Sequence, residues 1–308
     1  PSDLVPGDPR QALAEHELNV EHRFGRGVER AAFRAEWVRV EPVHGEGSLV
    51  EITGQGRRMR VGRYLRPELR MALARDNAER AGFAAVELQF PYDTPAEQLQ
   101  QALFRNKLTL VLHNLPAGDW AAGERGIACH PDRVEEFRKG VDTALAYAAA
   151  LGAPQLNCLA GIRPANVPAE TARRVLVDNL RFAATKLKAQ GLRLLIEPIN
   201  THDIPGFFVN GTRQALDLIA EVGTDNLFLQ YDVYHMQRME GDLANTLSAN
   251  LEKIAHIQIA DNPGRHEPGT GEINFGFLFA HLDRIGYTGW VGCEYKPATT
   301  TQAGLGWR

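Results

Sequence analysis

From residue 84 onward the chain alternates short apolar runs with longer stretches whose apolar positions return at helical spacing. The runs are AAVELQF (84–90), LTLVLHN (108–114), PQLNCLAG (154–161), LRLLIEPIN (192–200), NLFLQYD (226–232), IAHIQIAD (254–261) and WVGCEYKP (290–297). Each reads as a strand, and continuous apolar runs such as LRLLI predict burial on both faces. Between them the spacing predicts a helix capped near Thr94, then helices over 131–152, 169–191, 211–223, 242–254 and the FGFLFAHLDRIG stretch. Gly152 and Gly191 stand where two of these helices must stop. Strands alternating with helices in this way predict a parallel α/β fold.

The first eighty residues break the pattern. A closed barrel of eight strands needs one more strand ahead of Ala81, and two segments compete for it: RRMRVGRYL (57–65), close enough for a short connection, and SLVEITG (48–54), richer in β-branched residues. ELRMALARDNAERAG (68–82) supplies the matching helix. Residues 1–47 are charged, with a helix between Pro9 and Val40, and read as an N-terminal extension ahead of a barrel spanning 48–308.

Composition narrows the function classes. A chain of 308 residues suits one barrel of ~250 residues plus an extension. Lys and Arg total 34 against 38 Asp and Glu, a net charge of -4, so no basic field favours nucleic acid. No run approaches ~18 apolar residues, and the start has no signal-peptide pattern, which reads as a cytoplasmic chain without a membrane span. Cys129, Cys158 and Cys293 are far apart and show no CxxC spacing. All three read as reduced thiols without a catalytic role, and Cys158 and Cys293, in strand-like runs, as buried ones.

The chemistry sits where the strands end. Glu197 in LLIEPIN, Asp232 in LQYDVYH, Gln258 in AHIQIAD and Glu294 in GCEYKP each put an oxygen-bearing side chain near the end of a strand-like run. Successive parallel strands bring such groups together above a barrel. Two Glu, one Asp and one Gln form an all-oxygen set suited to Mg2+ or Mn2+. Around them stand candidates for holding substrate: His235 one helical turn after Asp232, Asp203 just beyond Glu197, Arg265 after Gln258, and His113 at the end of its strand. Arg265 suits a bidentate grip on a carboxylate. Two Glu beside a chelated carbonyl can shuttle a proton between adjacent carbons while the cation stabilises an enediolate, which is aldose–ketose isomerisation. Nicotinamide, P-loop and nucleophile-elbow motifs are missing from the sequence.

The stretch from 81 to 297, with AGFAAVELQFPYD, LHNLPAGDW, ERGIACHP, LNCLAG, LLIEPIN, LQYDVYHMQRMEGD, HIQIADNPGRHEPGTGEINF and GYTGWVGCEYKP, resembles the hydroxypyruvate isomerase family of the xylose isomerase-like barrels. The resemblance implies a (β/α)8 TIM barrel with a divergent N-terminal extension. It implies a divalent metal on Glu197, Asp232, Gln258 and Glu294, with Glu197 and Glu294 as the acid/base pair and His235 and Arg265 on substrate oxygens. The implied reaction interconverts hydroxypyruvate and tartronate semialdehyde; a four-carbon 2-oxo acid such as 2-oxotetronate is the rival substrate. An endonuclease and a non-catalytic sugar-acid binding protein are the rivals from other classes. The expected partner is a small oxo acid, with no nucleic acid or membrane, and the reading leaves room for a homo-oligomer. Residues 1–80 hold nothing like the family's opening strand.

Overall fold

The computed structural model describes residues 83–301 and 303–307 in full. It also describes the strand backbone of β1 (Phe33–Arg34), β2 (Ile52–Gly54) and β3 (Arg57–Leu65). The chain divides into two units, Pro1–Ala32 and Phe33–Arg308, and the first lies outside the described residues.

Seven further strands follow: β4 (Ala85–Leu88), β5 (Thr109–Asn114), β6 (Gln155–Cys158), β7 (Arg193–Ile196), β8 (Leu227–Asp232), β9 (Ile254–Ile259) and β10 (Trp290–Cys293). Each pairs in parallel with the next, and β3 pairs in parallel with both β10 and β4. That pairing closes an eight-strand barrel from β3 to β10. Of the two candidates for the first strand, 57–65 takes the place. The segment 48–54 contributes only β2, which pairs antiparallel with β3. Two residues separate β2 from β3, and so short a connection makes a hairpin, whereas neighbouring barrel strands need a crossover. A helix reaching Val40 does not hold either, because Phe33 and Arg34 pair antiparallel with Gly54 and Thr53. The remainder of that expected helix, and the one over 68–82, lie outside the described residues.

The helices wrap the barrel: α1 (Ala96–Arg105), α2 (Val134–Leu151), α3 (Ala169–Lys188), α4 (Thr212–Val222), α5 (Val233–Met239), α6 (Leu243–Asn250) and α7 (Phe275–Ile285). Thr94 does not cap α1. Pro95 precedes the helix, with no side-chain cap, while the Thr94 N–H closes a 3-10 turn onto the Pro91 carbonyl. Gly152 ends α2 at φ 72°, a left-handed conformation that glycine adopts without a Cβ penalty.

Strand side chains alternate between the two faces of the sheet, and this divides the core. Leu194 and Ile196 of β7 join the large apolar layer between barrel and helices, while Leu195 packs inside with Ala85, Val111, Leu112 and Ala255. Two residues beyond Leu195 is Glu197, and two beyond Ala85 is Glu87, so the interior turns from apolar to polar along the strands. The three cysteines are free and buried. Burial pushes the Cys129 thiol up to about 12 and raises that of Cys158 as well, so both stay protonated. No helix among the described residues is long and apolar enough to cross a membrane.

Candidate active site

A cavity of about 470 Å³ is lined by Glu197, Gln258, Glu294, His235 and Arg265. Glu197 and Glu294 directly follow β7 and β10, Asp232 ends β8, and Gln258 stands one residue before the end of β9. The strands therefore bring the expected ligand candidates together.

Glu197 is buried, and its Oε2 accepts from Asn157 Nδ2 and from Gln230 Nε2, both at 2.9 Å. Burial raises its carboxyl well above the ordinary range, and the nearby charges of Glu294 and Asp232 push the same way. Asp232 is also buried and raised by burial, against the opposing pull of Arg265. Its Oδ1 caps α5, accepting from the backbone N–H of Tyr234 at 2.8 Å and of His235 at 3.3 Å. Oδ2 has no hydrogen-bond partner. Glu197, Asp232 and His235 each offer an atom within 4.8 Å of the others.

The role open to His235 follows from its neighbour Asn200. The backbone N–H of Asp203 donates to Asn200 Oδ1 at 2.8 Å, which fixes the amide. Asn200 Nδ2 then donates to Asp203 Oδ2 at 3.0 Å and to His235 Nδ1 at 2.6 Å. With Nδ1 accepting, the ring proton sits on Nε2, 3.4 Å from Asp232 Oδ2 and 3.9 Å from Glu197 Oε1. Burial, helped by Arg265 and Arg238, lowers the imidazole well below its ordinary pKa, so it is neutral. A neutral ring presenting Nε2–H donates to an oxygen; it does not bind a cation.

Arg265 takes a left-handed backbone, φ 56°, in the loop after β9. Its Nη2 lies 3.0 Å from Glu294 Oε1 and 3.5 Å from Asp232 Oδ2, and its guanidinium lies over the Tyr234 ring. Asp261 organises that loop, its carboxylate accepting from the backbone N–H groups of Asn262, Gly269, Gly271 and Ile273. Asp203 lies at the rim, paired with Arg238 and accepting from Tyr234 Oη at 2.8 Å. Burial raises its carboxyl, but the bonds from Asn200 and Tyr234 and the Arg238 charge outweigh this and lower it.

His113 is the candidate that stands apart. It is fully buried, does not line the cavity, and its Nδ1 lies 3.2 Å from both Tyr92 Oη and the Asn114 carbonyl. Burial lowers its pKa to about 4. Sequence reasoning missed Glu87, Asn157, Asn200 and Gln230, all buried. The signal for three of them was a polar residue inside a run otherwise apolar on both faces. It also missed the cavity wall formed by Trp120 and Arg125, whose guanidinium lies 4.3 Å from the indole centroid.

The donor set fits a divalent cation. It is made of oxygens, one buried carboxylate oxygen accepts no hydrogen bond, and burial together with neighbouring like charges raises Glu197, a strain that a cation would relieve.

The family model described as "Xylose isomerase-like TIM barrel" matches residues 75–308. The chain belongs to this family. Among curated relatives, the hydroxypyruvate isomerase of Escherichia coli (strain K12) is 59% identical over 232 residues, covering 75% of this chain and 90% of the relative. The 2-oxo-tetronate isomerase of Cupriavidus necator is 47% identical over 226 residues, covering 73% and 87%. Among solved structures, the AP endonuclease, family 2 from Brucella melitensis matches with TM-score 0.73 and 43% identity, covering 75% of this chain and 89% of that one. A second model, described as an integral membrane protein (DUF2244), matches residues 11–78. That segment contains β3, so the strand closing this xylose isomerase-like barrel falls wholly outside the stretch matched to its own family.

Proposed function

We propose that the chain is a metal-dependent isomerase interconverting hydroxypyruvate and 2-hydroxy-3-oxopropanoate. The observation that carries this reading is the convergence of Glu197, Gln258 and Glu294 on one cavity, with Asp232 buried beside Glu197, in a chain 59% identical to a hydroxypyruvate isomerase. In the reaction a hydrogen leaves C3 as a proton and a proton is delivered to C2, while the hydroxyl proton passes from the C3 oxygen to the C2 oxygen. C2 is reduced and C3 oxidised within one molecule, so no outside electron acceptor is needed. Glu197 and Glu294 are the groups that take and return the carbon-bound proton. A divalent cation such as Mg2+ or Mn2+, held by Glu197, Asp232, Gln258 and Glu294, would supply the Lewis acidity that polarises the carbonyl.

His235 donates its Nε2–H to a substrate oxygen, and Arg265 presents its fork to the carboxylate end. Asp203 holds the Tyr234–Arg238 rim against which the substrate closes. Cytoplasmic residence and a homo-oligomer complete the reading.

A four-carbon 2-oxo acid is the second reading, favoured by the 2-oxo-tetronate isomerase relative and by a cavity of about 470 Å³ that admits a longer chain. One assay separates these readings: turnover of hydroxypyruvate and of 2-oxotetronate, after chelation and after restoring Mg2+ or Mn2+. Failure to turn over either acid in the presence of metal, with cleavage of abasic-site DNA instead, would overturn the isomerase reading.

A further inference from the structure

A glutamine is an ambiguous cation ligand. Turning its amide over exchanges an oxygen that can bind a cation for an NH2 that cannot, with almost no change in shape. Resting on the reading of Gln258 as a cation ligand, we propose that Glu87 and Gln230 are positioning residues that fix which way this amide faces.

Glu87 belongs to β4, three strands round the closed sheet from β9, and its side chain reaches Gln258 across the barrel interior. Its Oε2 accepts from Gln258 Nε2 at 2.8 Å, and its Oε1 accepts from His256 Nε2 at 2.6 Å. A carboxylate accepts and does not donate, so the NH2 of Gln258 is drawn to the Glu87 side. From the other side Gln230 Nε2 donates to Gln258 Oε1 at 2.6 Å and to Glu197 Oε2 at 2.9 Å. Both hydrogens of one amide thus orient two members of the site. Asn157 Nδ2 also donates to Glu197 Oε2, and to Asn114 Oδ1 at 3.1 Å. Oε2 of Glu197 is engaged from the barrel side, which leaves Oε1 for the cavity.

The sequence makes room for this arrangement. Gly292 of β10 stands level with Gln258 in the strand register, and a Cβ there would collide with Oε1 of Glu87 and crowd its Oε2. The glycine gives the reach of Glu87 its passage.

The test is Mn2+ binding to the metal-free chain, read from the electron paramagnetic resonance of the free ion, with thermal melting alongside. Glu87→Gln puts an N–H where Gln258 needs an acceptor. It should lower Mn2+ affinity by at least about tenfold, with melting of the metal-free protein shifted by only a few degrees. Adding Gln258→Glu to that variant restores the pair with roles exchanged and still offers an oxygen to the cation, so affinity should return to within about threefold of native. Gln230→Met keeps the size, removes an Oε1 that has no partner, and should bring a comparable loss of affinity by a second route. If the native chain binds Mn2+ and both single variants bind it equally well, or if the folded double variant fails to recover, the positioning role is overturned. If the native chain binds no Mn2+, the cation reading falls first and takes this inference with it.

Discussion

Nη2 of Arg265 stands 3.0 Å from Oε1 of Glu294, so one cation sits directly against one of the two glutamates assigned to proton transfer. Arg265 also donates from Nε to the Glu294 backbone carbonyl at 3.3 Å, which fastens the loop after β9 to the end of β10. Arg265→Lys keeps the charge but loses this fork. It should raise the Michaelis constant for hydroxypyruvate more than for an uncharged ketose of similar length. An equal rise for both would limit Arg265 to loop fastening.

Glu197→Gln keeps an oxygen for the donors Asn157 and Gln230 while removing the group that accepts a proton. Turnover should fall by at least ~100-fold, and Mn2+ should still bind. Glu294→Gln should behave alike. Exchange of solvent deuterium into the substrate carbons, measured by proton NMR, should appear in the native enzyme and vanish in both variants. Near-native exchange in either would move the chemistry to another residue.

Asp232 has two separable duties, because one oxygen caps α5 and the other, facing Arg265 and His235, accepts no hydrogen bond. Asp232→Asn can retain the cap with its Oδ1, so its melting temperature should stay close to native while Mn2+ affinity drops. Asp232→Ala should lose the cap as well, at a further cost of about 1 kcal/mol. Equal melting of the two variants would argue against the capping duty.

His113 gives a pH signature of stability. Its folded pKa of about 4 lies below the ordinary 6.5, so between these values the unfolded chain takes up a proton that the folded chain refuses. Stability should fall as pH drops from 6.5 towards 4, by about 3 kcal/mol in total, and this share should level off below that window. His113→Gln should flatten the slope across that window whatever its effect on stability at neutral pH. Denaturant unfolding at a series of pH values measures the difference, and parallel curves would refute it.

Seven barrel strands and the meeting of Glu197, Asp232, Gln258 and Glu294 were legible because an apolar run buried on both faces is a strong local signal, and its last residues are the polar groups that gather at the strand ends. The first strand was harder. SLVEITG has the better β-composition, yet its distance from RRMRVGRYL in sequence makes a hairpin, and pairing geometry outweighed propensity. His113 misled because a histidine at a strand end has two faces available, and here the alternation together with Tyr92 turns it away from the cavity. Glu87 showed only as a polar residue inside an apolar run. Its partners, Gln258 and His256, stand about 170 positions away in sequence, and nothing local announces a contact made across a closed barrel.

The hydrogen-bonded chain His256, Glu87, Gln258, Gln230, Glu197, Asn157, Asn114 draws its members from β4 and from every strand or strand end between β5 and β9. A slip of one residue in any of these strands would turn its member outward among the helices and strand its neighbours without partners in an apolar interior. The belt therefore proofreads the barrel. Misregistered closures carry a penalty that the apolar layers alone would not impose, and Glu197 and Gln258 meet only in the one alignment that passes.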